Sequence, residues 1–210
     1  MSGRWTDIEL DIVKSLARGV QMLTALQIGR IWLEQDSSAE SVQLMRPLVA
    51  ARLVQQAIVV AHPALHPKRP ILTREPGKPD PNYSRISERI LGRWNQPSVV
   101  TLVYWASPRT ANISGCSVAH LRNVTHRDHN LLLSDVYAYY RVVRPCLAVS
   151  CIGENSLPKA GYRIKDPDAF LMDEDGSVLR VVESAGCYSA RQVESFHDYC
   201  AECSLPYELW

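Results

Sequence analysis

Apolar spacing divides the chain into a helical opening and a later region where strands and helices alternate. Ile8, Leu10, Ile12, Val13, Leu16 and Ala17 recur at roughly helical intervals, and Thr6 or Asp7 can cap their start. Leu26, Ile28, Ile31 and Trp32 predict a second helix from about Thr24, closed by Asp36-Ser37-Ser38, which also caps a third. That third helix runs from about Ala39 to Leu53, with Val42, Met45 and Val49 on one side and Arg46 and Arg52 on another. Pro47 lies inside it and predicts a kink or split near Arg46.

The pattern then becomes extended. Gln56-Ala57-Ile58-Val59-Val60 predicts a strand, His66-Pro67-Lys68-Arg69-Pro70 a basic turn, and Ile71-Leu72-Thr73 a returning strand. Three helices followed by a basic two-stranded ribbon describe a winged helix-turn-helix, whose third helix enters the major groove while the wing touches phosphate. Gln43, Arg46, Arg52, Lys68 and Arg69 are therefore the candidates for contact with double-stranded DNA. The same module can serve dimerisation, and arginines on exposed helical faces are usually solvated.

Pro70 to Pro81 is too rich in proline for a regular helix and reads as a spacer. Ser84 to Trp94 suits a helix, Val99 to Trp105 a strand, and Ser107 to Thr125 a loop-rich stretch. From His126 the order is clearer. Leu131, Leu132, Leu133, Val136, Tyr137, Tyr140 and Val143 suit a buried helix, and strands are expected over Leu147–Cys151, Ala169–Met172 and Val178–Val182. Asp173-Glu174-Asp175-Gly176-Ser177 forms the hairpin turn, and Ser189 to Cys203 a closing helix. The expected fold class is α+β: a winged helix over residues 1–75, connecting elements over 76–125, and a restriction-endonuclease-like α/β domain over 126–210.

The hairpin carries the candidate chemistry. Asp168 begins one strand and Glu183 ends its partner, so antiparallel pairing puts both carboxylates at one end of the sheet. Such a pair repels itself, and a divalent cation relieves the repulsion, with Glu154 or Asp135 available as a third acidic group. Pro167-Asp168 with Glu183-Ser184-Ala185 resembles the active-site hairpin of the PD-(D/E)xK nuclease superfamily, with Ala185 where that pattern has lysine. The resemblance implies Mg2+ or Mn2+ on Asp168 and Glu183. Loss of the lysine removes a charge that activates water and stabilises the phosphoryl transition state. Arg191, or less readily Arg180, is the available substitute; arginine can hold a phosphate but cannot act as a base. Two readings follow: a nuclease-shaped module kept for binding, with no cofactor, or a metal-dependent endonuclease using Asp168, Glu183 and Arg191.

Charge and composition narrow the partners. The net charge of +1 hides a polarity, since residues 1–125 hold 15 Lys and Arg against 9 Asp and Glu, and residues 126–210 hold 8 against 13. A basic first part suits a polyanion, and an acidic second part suits metal binding or solvation. No apolar run approaches the roughly 20 residues of a membrane span, and the opening Met1-Ser2-Gly3-Arg4 does not resemble a signal peptide, so a cytoplasmic protein is expected. Six cysteines are too sparse for a disulfide scaffold. Cys187, His197, Cys200 and Cys203 have spacing compatible with zinc, although reduced thiols suit it equally. His126 and His129, three apart at a helix start, suit metal, phosphate or simple capping. There is no glycine-rich phosphate loop, dinucleotide fingerprint or nucleophile elbow.

The first-segment pattern, His129-Asn130-Leu131 with Ser134-Asp135-Val136, and Pro167-Asp168-Ala169 leading to Glu183 together resemble the replication-relaxation family of bacterial plasmids and other mobile elements. Residues 95–125 contribute nothing to the likeness. It implies a DNA-binding protein acting in replication, mobilisation or regulation. A docking subunit, forming a homodimer or binding a protein through its acidic domain, is the reading from another class.

Overall fold

A computed structural model describes residues 5–118, 124–156 and 167–210. Helix α1 (Asp7–Lys14) starts on a reciprocal cap: the Thr6 hydroxyl accepts the Glu9 N–H, and the Glu9 carboxylate accepts the Thr6 N–H. A π-helical turn, Ser15–Gly19, extends it. Strand β1 (Leu23–Thr24) leads into α2 (Ala25–Ile28), where Thr24 and Gln27 repeat the cap, and a second π turn covers Gly29–Leu33. Glu34, with φ of 54°, ends it. Helix α3 (Ala39–Ala50) follows Ser38, but the hydroxyl that takes its first free N–H is that of Ser37, at 3.3 Å from the Ala39 nitrogen. Pro47 does not split α3. It lies exposed near the end of the helix, where Gln43, the residue whose carbonyl loses its helical donor, is itself exposed to water.

The first sheet has the order β1-β4-β2. Strand β2 (Val54–Ala61) pairs antiparallel with β4 (Val99–Ala106), from Val54 opposite Ala106 to Ala61 opposite Val99. The expected return strand is thus corrected: β3 (Leu72–Arg74) does not pair with β2 but with β8 (Tyr207–Leu209) in the other sheet. The basic segment fails to close a hairpin because it is drawn elsewhere. The Leu65 N–H donates to buried Asp135 at 2.7 Å, and His66 adopts a left-handed φ of 44°, which lays residues 62–66 against α6 (Val124–Val143) as a strap.

The second sheet has the order β3-β8-β7-β6-β5. Strands β5 (Cys151–Gly153), β6 (Ala169–Met172) and β7 (Val178–Glu183) form an antiparallel meander. Helix α8 (Ala190–Glu202) then crosses over, so that β8 returns parallel to β7. Helix α4 (Tyr83–Leu91), continued by a 3-10 turn to Trp94, packs against α8. The chain therefore leaves the first sheet after β2, visits the second with β3, and comes back with β4.

Two local expectations also change. Leu147–Cys151 is not one strand: α7 (Pro145–Val149) takes most of it, since Pro145 sits in the first turn where no N–H is required. The stretch expected to be loop-rich contains α5 (Pro108–Ser114), begun by the Ser107 hydroxyl, which accepts the Thr110 N–H, and ended by Gly115 at φ of 71°. Residues 119–123 of that stretch lie outside the described ones.

One core cluster joins the opening helices to α6 through Ile12, Leu16, Ile28, Met45, Tyr104 and Tyr137. A second, with Ile86, Ile90, Val181, Val193, Phe196 and Tyr207, lies between the second sheet and the α4–α8 pair. Polar ties reinforce the first: Arg141 on α6 donates to Asp11 on α1, and the Ser15 and Tyr137 hydroxyls meet at 2.8 Å. No described helix is long and apolar enough to cross a membrane.

Candidate functional site

The β6–β7 hairpin brings Asp168 and Glu183 together as the strand pattern predicts. Ala169 lies opposite Val182, which leaves the two acids at the same end of the sheet, and the Asp168 N–H donates to Glu183 Oε2 at 3.3 Å. Both are buried, Asp168 to 5% exposure and Glu183 completely. Two buried carboxylates at this spacing require donors. Asp168 Oδ2 accepts the Ser184 N–H at 2.6 Å and the Ser184 hydroxyl at 2.7 Å. Its Oδ1 meets His129 Nε2 at 2.9 Å, and Glu183 Oε1 accepts the Tyr188 hydroxyl. All four oxygens are thus engaged by protein groups.

Ala185, at the position of the missing lysine, is fully buried, and its N–H donates to the Trp210 carbonyl at 2.9 Å. There is core where a cation would have to stand. Arg191 lies exposed in the first turn of α8 and forms no hydrogen bond or ion pair with either carboxylate. Arg180 pairs with Glu75 at 2.5 Å and approaches Glu208 at 3.8 Å. Glu154 adjoins the pair through its backbone, its N–H donating to the Asp168 carbonyl at 2.9 Å, while its carboxylate accepts from Gln21 Nε2 at 3.0 Å. Asp135 is not part of this cluster. It accepts from Gln27 at 2.7 Å and from Leu65, and burial pushes its carboxyl up against those bonds and the nearby His66.

Among the described residues, no group of three or more His, Cys, Asp or Glu side chains is placed to hold a metal ion. The zinc grouping is not assembled: Cys187 and Cys203 are exposed, Cys200 is in the core, and the His197 ring nitrogens meet the Tyr207 hydroxyl and Asp80. Sequence reasoning missed Ser184 and Tyr188 as partners of the acids. Their proximity to Glu183 in the chain was a usable signal; that of His129, 39 positions before Asp168, was not.

A second candidate region is the outward face of α3. Buried Ser41, Met45 and Leu48 fix the helix against the core, which leaves Glu40, Gln43, Arg46 and Ala50 exposed on the opposite side. Neither the Gln43 nor the Arg46 side chain forms a hydrogen bond or ion pair within the described residues. The α2–α3 turn is tightly built, since a Cβ on Gly29 would come within 2.6 Å of the Ser37 carbonyl oxygen. Arg52 follows α3 with a left-handed φ of 58° and is exposed. Lys68 and Arg69 are exposed too, but they follow the strap against α6 and do not form the tip of a hairpin. Lys68 lines a cleft shared with the α2–α3 turn, whereas Arg69 lines a different one.

Comparison of the chain with protein-family models, curated proteins and solved structures finds no match.

Proposed function

We propose that the protein binds double-stranded DNA through a winged helix-turn-helix made of α1, β1, α2, α3, β2 and β4, and that the hairpin with Asp168 and Glu183 belongs to a nuclease-shaped unit retained for assembly or further contact. The observation that carries this reading is the outward face of α3, where the exposed side chains of Gln43 and Arg46 sit three residues apart with no partner among the described residues. A helix of this kind inserts into the major groove, where arginine and glutamine read base edges or touch phosphate. The order of helices and strands supports it, with β2 and β4 as the wing strands and the β3–α4 segment inserted between them. The resemblance to mobile-element proteins agrees with such a role in replication, mobilisation or regulation.

Binding of a fluorescent duplex, followed by anisotropy as salt rises from roughly 50 to 200 mM, tests the proposal. Saturable binding that weakens with salt and is reduced by Arg46→Ala is expected. Absence of binding at the lowest salt contradicts it.

The adjacency of Asp168 and Glu183, together with a meander followed by a helix and a parallel strand, favours one alternative, a Mg2+- or Mn2+-dependent endonuclease. Asp168 and Glu183 would hold the ion. As arranged, their oxygens are committed to Ser184, His129, Tyr188 and the Asp168 N–H, so the donor set does not fit a divalent cation without rearrangement. Cleavage of supercoiled plasmid with Mn2+, lost in Asp168→Ala, is the result that would establish this alternative.

A further inference from the structure

A cleft of about 510 Å³ lies between the end of the strap and α4, lined by Arg69, Arg89, Arg93, Asn95 and Gln96, with no acidic residue among its lining. Arg89 and Arg93 are four residues apart at the end of α4, a spacing at which like charges repel. Their hydrogen-bond partners among the described residues are main-chain oxygens. Arg93 donates to the Trp210 carbonyl at 2.9 Å and the Ala185 carbonyl at 3.1 Å, and Arg89 donates to the Ile71 carbonyl at 2.9 Å. Arg93 Nε is buried with no hydrogen-bond partner among the described residues. Among the described residues no carboxylate side chain pairs with Arg69, Arg89 or Arg93, whereas Arg30, Arg141 and Arg180 each pair with one. Burial, and then the charge of Arg89, pull the Arg93 guanidinium down to about 10.

We propose that Arg69, Arg89 and Arg93 form a binding site for a phosphate group. The guanidinium fork matches an oxyanion in two-point geometry, and neighbouring guanidinium groups that repel one another gain from an anion shared between them. Three guanidinium groups favour phosphate over a carboxylate, because phosphate offers acceptor oxygens in more directions and, as a monoester, up to about two negative charges. Arg93 anchors the site on the sheet end that also holds Asp168 and Glu183, through the carbonyl two residues beyond Glu183. Asn95 and Gln96 add amide donors at the mouth. The phosphate is either part of a DNA backbone, in which case the site extends the DNA-binding reading, or part of a free phosphate ester, in which case it stands apart from that reading.

The test uses the full chain, an Arg69→Gln/Arg89→Gln double variant that changes only exposed side chains, and Arg69→Gln alone in case the double variant folds poorly. Thermal unfolding is followed in inorganic phosphate and in chloride at equal ionic strength, and binding to a mixed-sequence duplex is followed against salt. Phosphate is expected to raise the wild-type Tm above its value in chloride, and the variants to lose that increment. If the source is DNA backbone, the salt slope of duplex binding also falls, by roughly one for each arginine removed. If it is a free phosphate ester, the Tm increment is lost while the slope is unchanged. A phosphate increment in Tm that is the same in wild type and variants, with the same slope in both, overturns the proposal, since phosphate excluded from the protein surface raises Tm without a site. Arg46→Ala runs alongside: a loss of DNA binding confined to Arg46→Ala leaves the α3 reading and restricts the cleft to a free phosphate ester, whereas a loss confined to the cleft variants overturns the α3 reading and leaves the cleft.

Discussion

The hairpin acids and the α3 face are both polar, yet they are built in opposite ways. Around Asp168 and Glu183 every carboxylate oxygen has a protein partner, and the side chains are closed off from solvent. On α3, Gln43 and Arg46 stand in solvent with donors uncommitted. Burial penalises an unpaired polar group by a few kcal/mol, so a buried cluster that is fully paired contributes first to holding its own fold. An exposed helix face with free donors contributes little to stability and is available to a partner. The difference separates a part of the molecule that looks like chemistry from a part that is free to bind.

The sharpest way to break this contrast is Asp168→Ala. It leaves the Ser184 N–H, the Ser184 hydroxyl and His129 without their acceptor, and a loss of about 3 kcal/mol in urea unfolding is expected. Unchanged stability would mean that the pair is not structural and would return it to catalysis. Next in size is Gly29→Ala. The added Cβ would meet the Ser37 carbonyl oxygen at 2.6 Å and Ser41 Oγ at 2.9 Å, which forces the α2–α3 turn apart. A cost of about 2 kcal/mol and weaker DNA binding are expected, measured by unfolding and anisotropy. DNA binding unaffected by a displaced turn would argue against α3 as the contact.

The smallest effect concerns Asp11, which ties α1 to α6. Partial burial pushes its carboxyl up, but hydrogen bonds from Arg141 and Trp32, with the charges of Arg141 and Lys14, outweigh burial and hold it below 3.8. Its contribution is therefore complete above pH 3.8 and disappears as pH falls through the lower folded value. Asp11→Asn should remove that part of the acid limb, by under about 1 kcal/mol because the group is part-exposed and solvent screens the pair. Parallel stability profiles of variant and wild type in acid would contradict the tie.

Much of the local structure was legible. Thr6 with Glu9 and Thr24 with Gln27 carry their caps within four residues, and the turn near Asp175 placed Asp168 and Glu183 correctly. What depends on distant partners was not. Strand β2 pairs with residues 38 to 52 positions away, because buried Asp135 captures the intervening strap, and no periodicity within 62–71 reports that. Strand β8 has only three residues, too few to show alternation, although it lies inside the second sheet. Leu147–Cys151 misled because a short apolar run suits a helix or a strand equally, and Arg144-Pro145 was the overlooked start signal. In the hairpin the acids were visible as a pair, but their saturation by Ser184, His129 and Tyr188 is a product of packing.

The most direct measurement of the central claim is the equilibrium affinity of wild type and Arg46→Ala for one mixed-sequence DNA duplex across a salt series. Wild type should bind with a steep loss of affinity as salt rises, and Arg46→Ala should bind about tenfold more weakly while unfolding at the same urea concentration. Equal affinities for the two proteins, or no binding by wild type at low salt, would contradict the account.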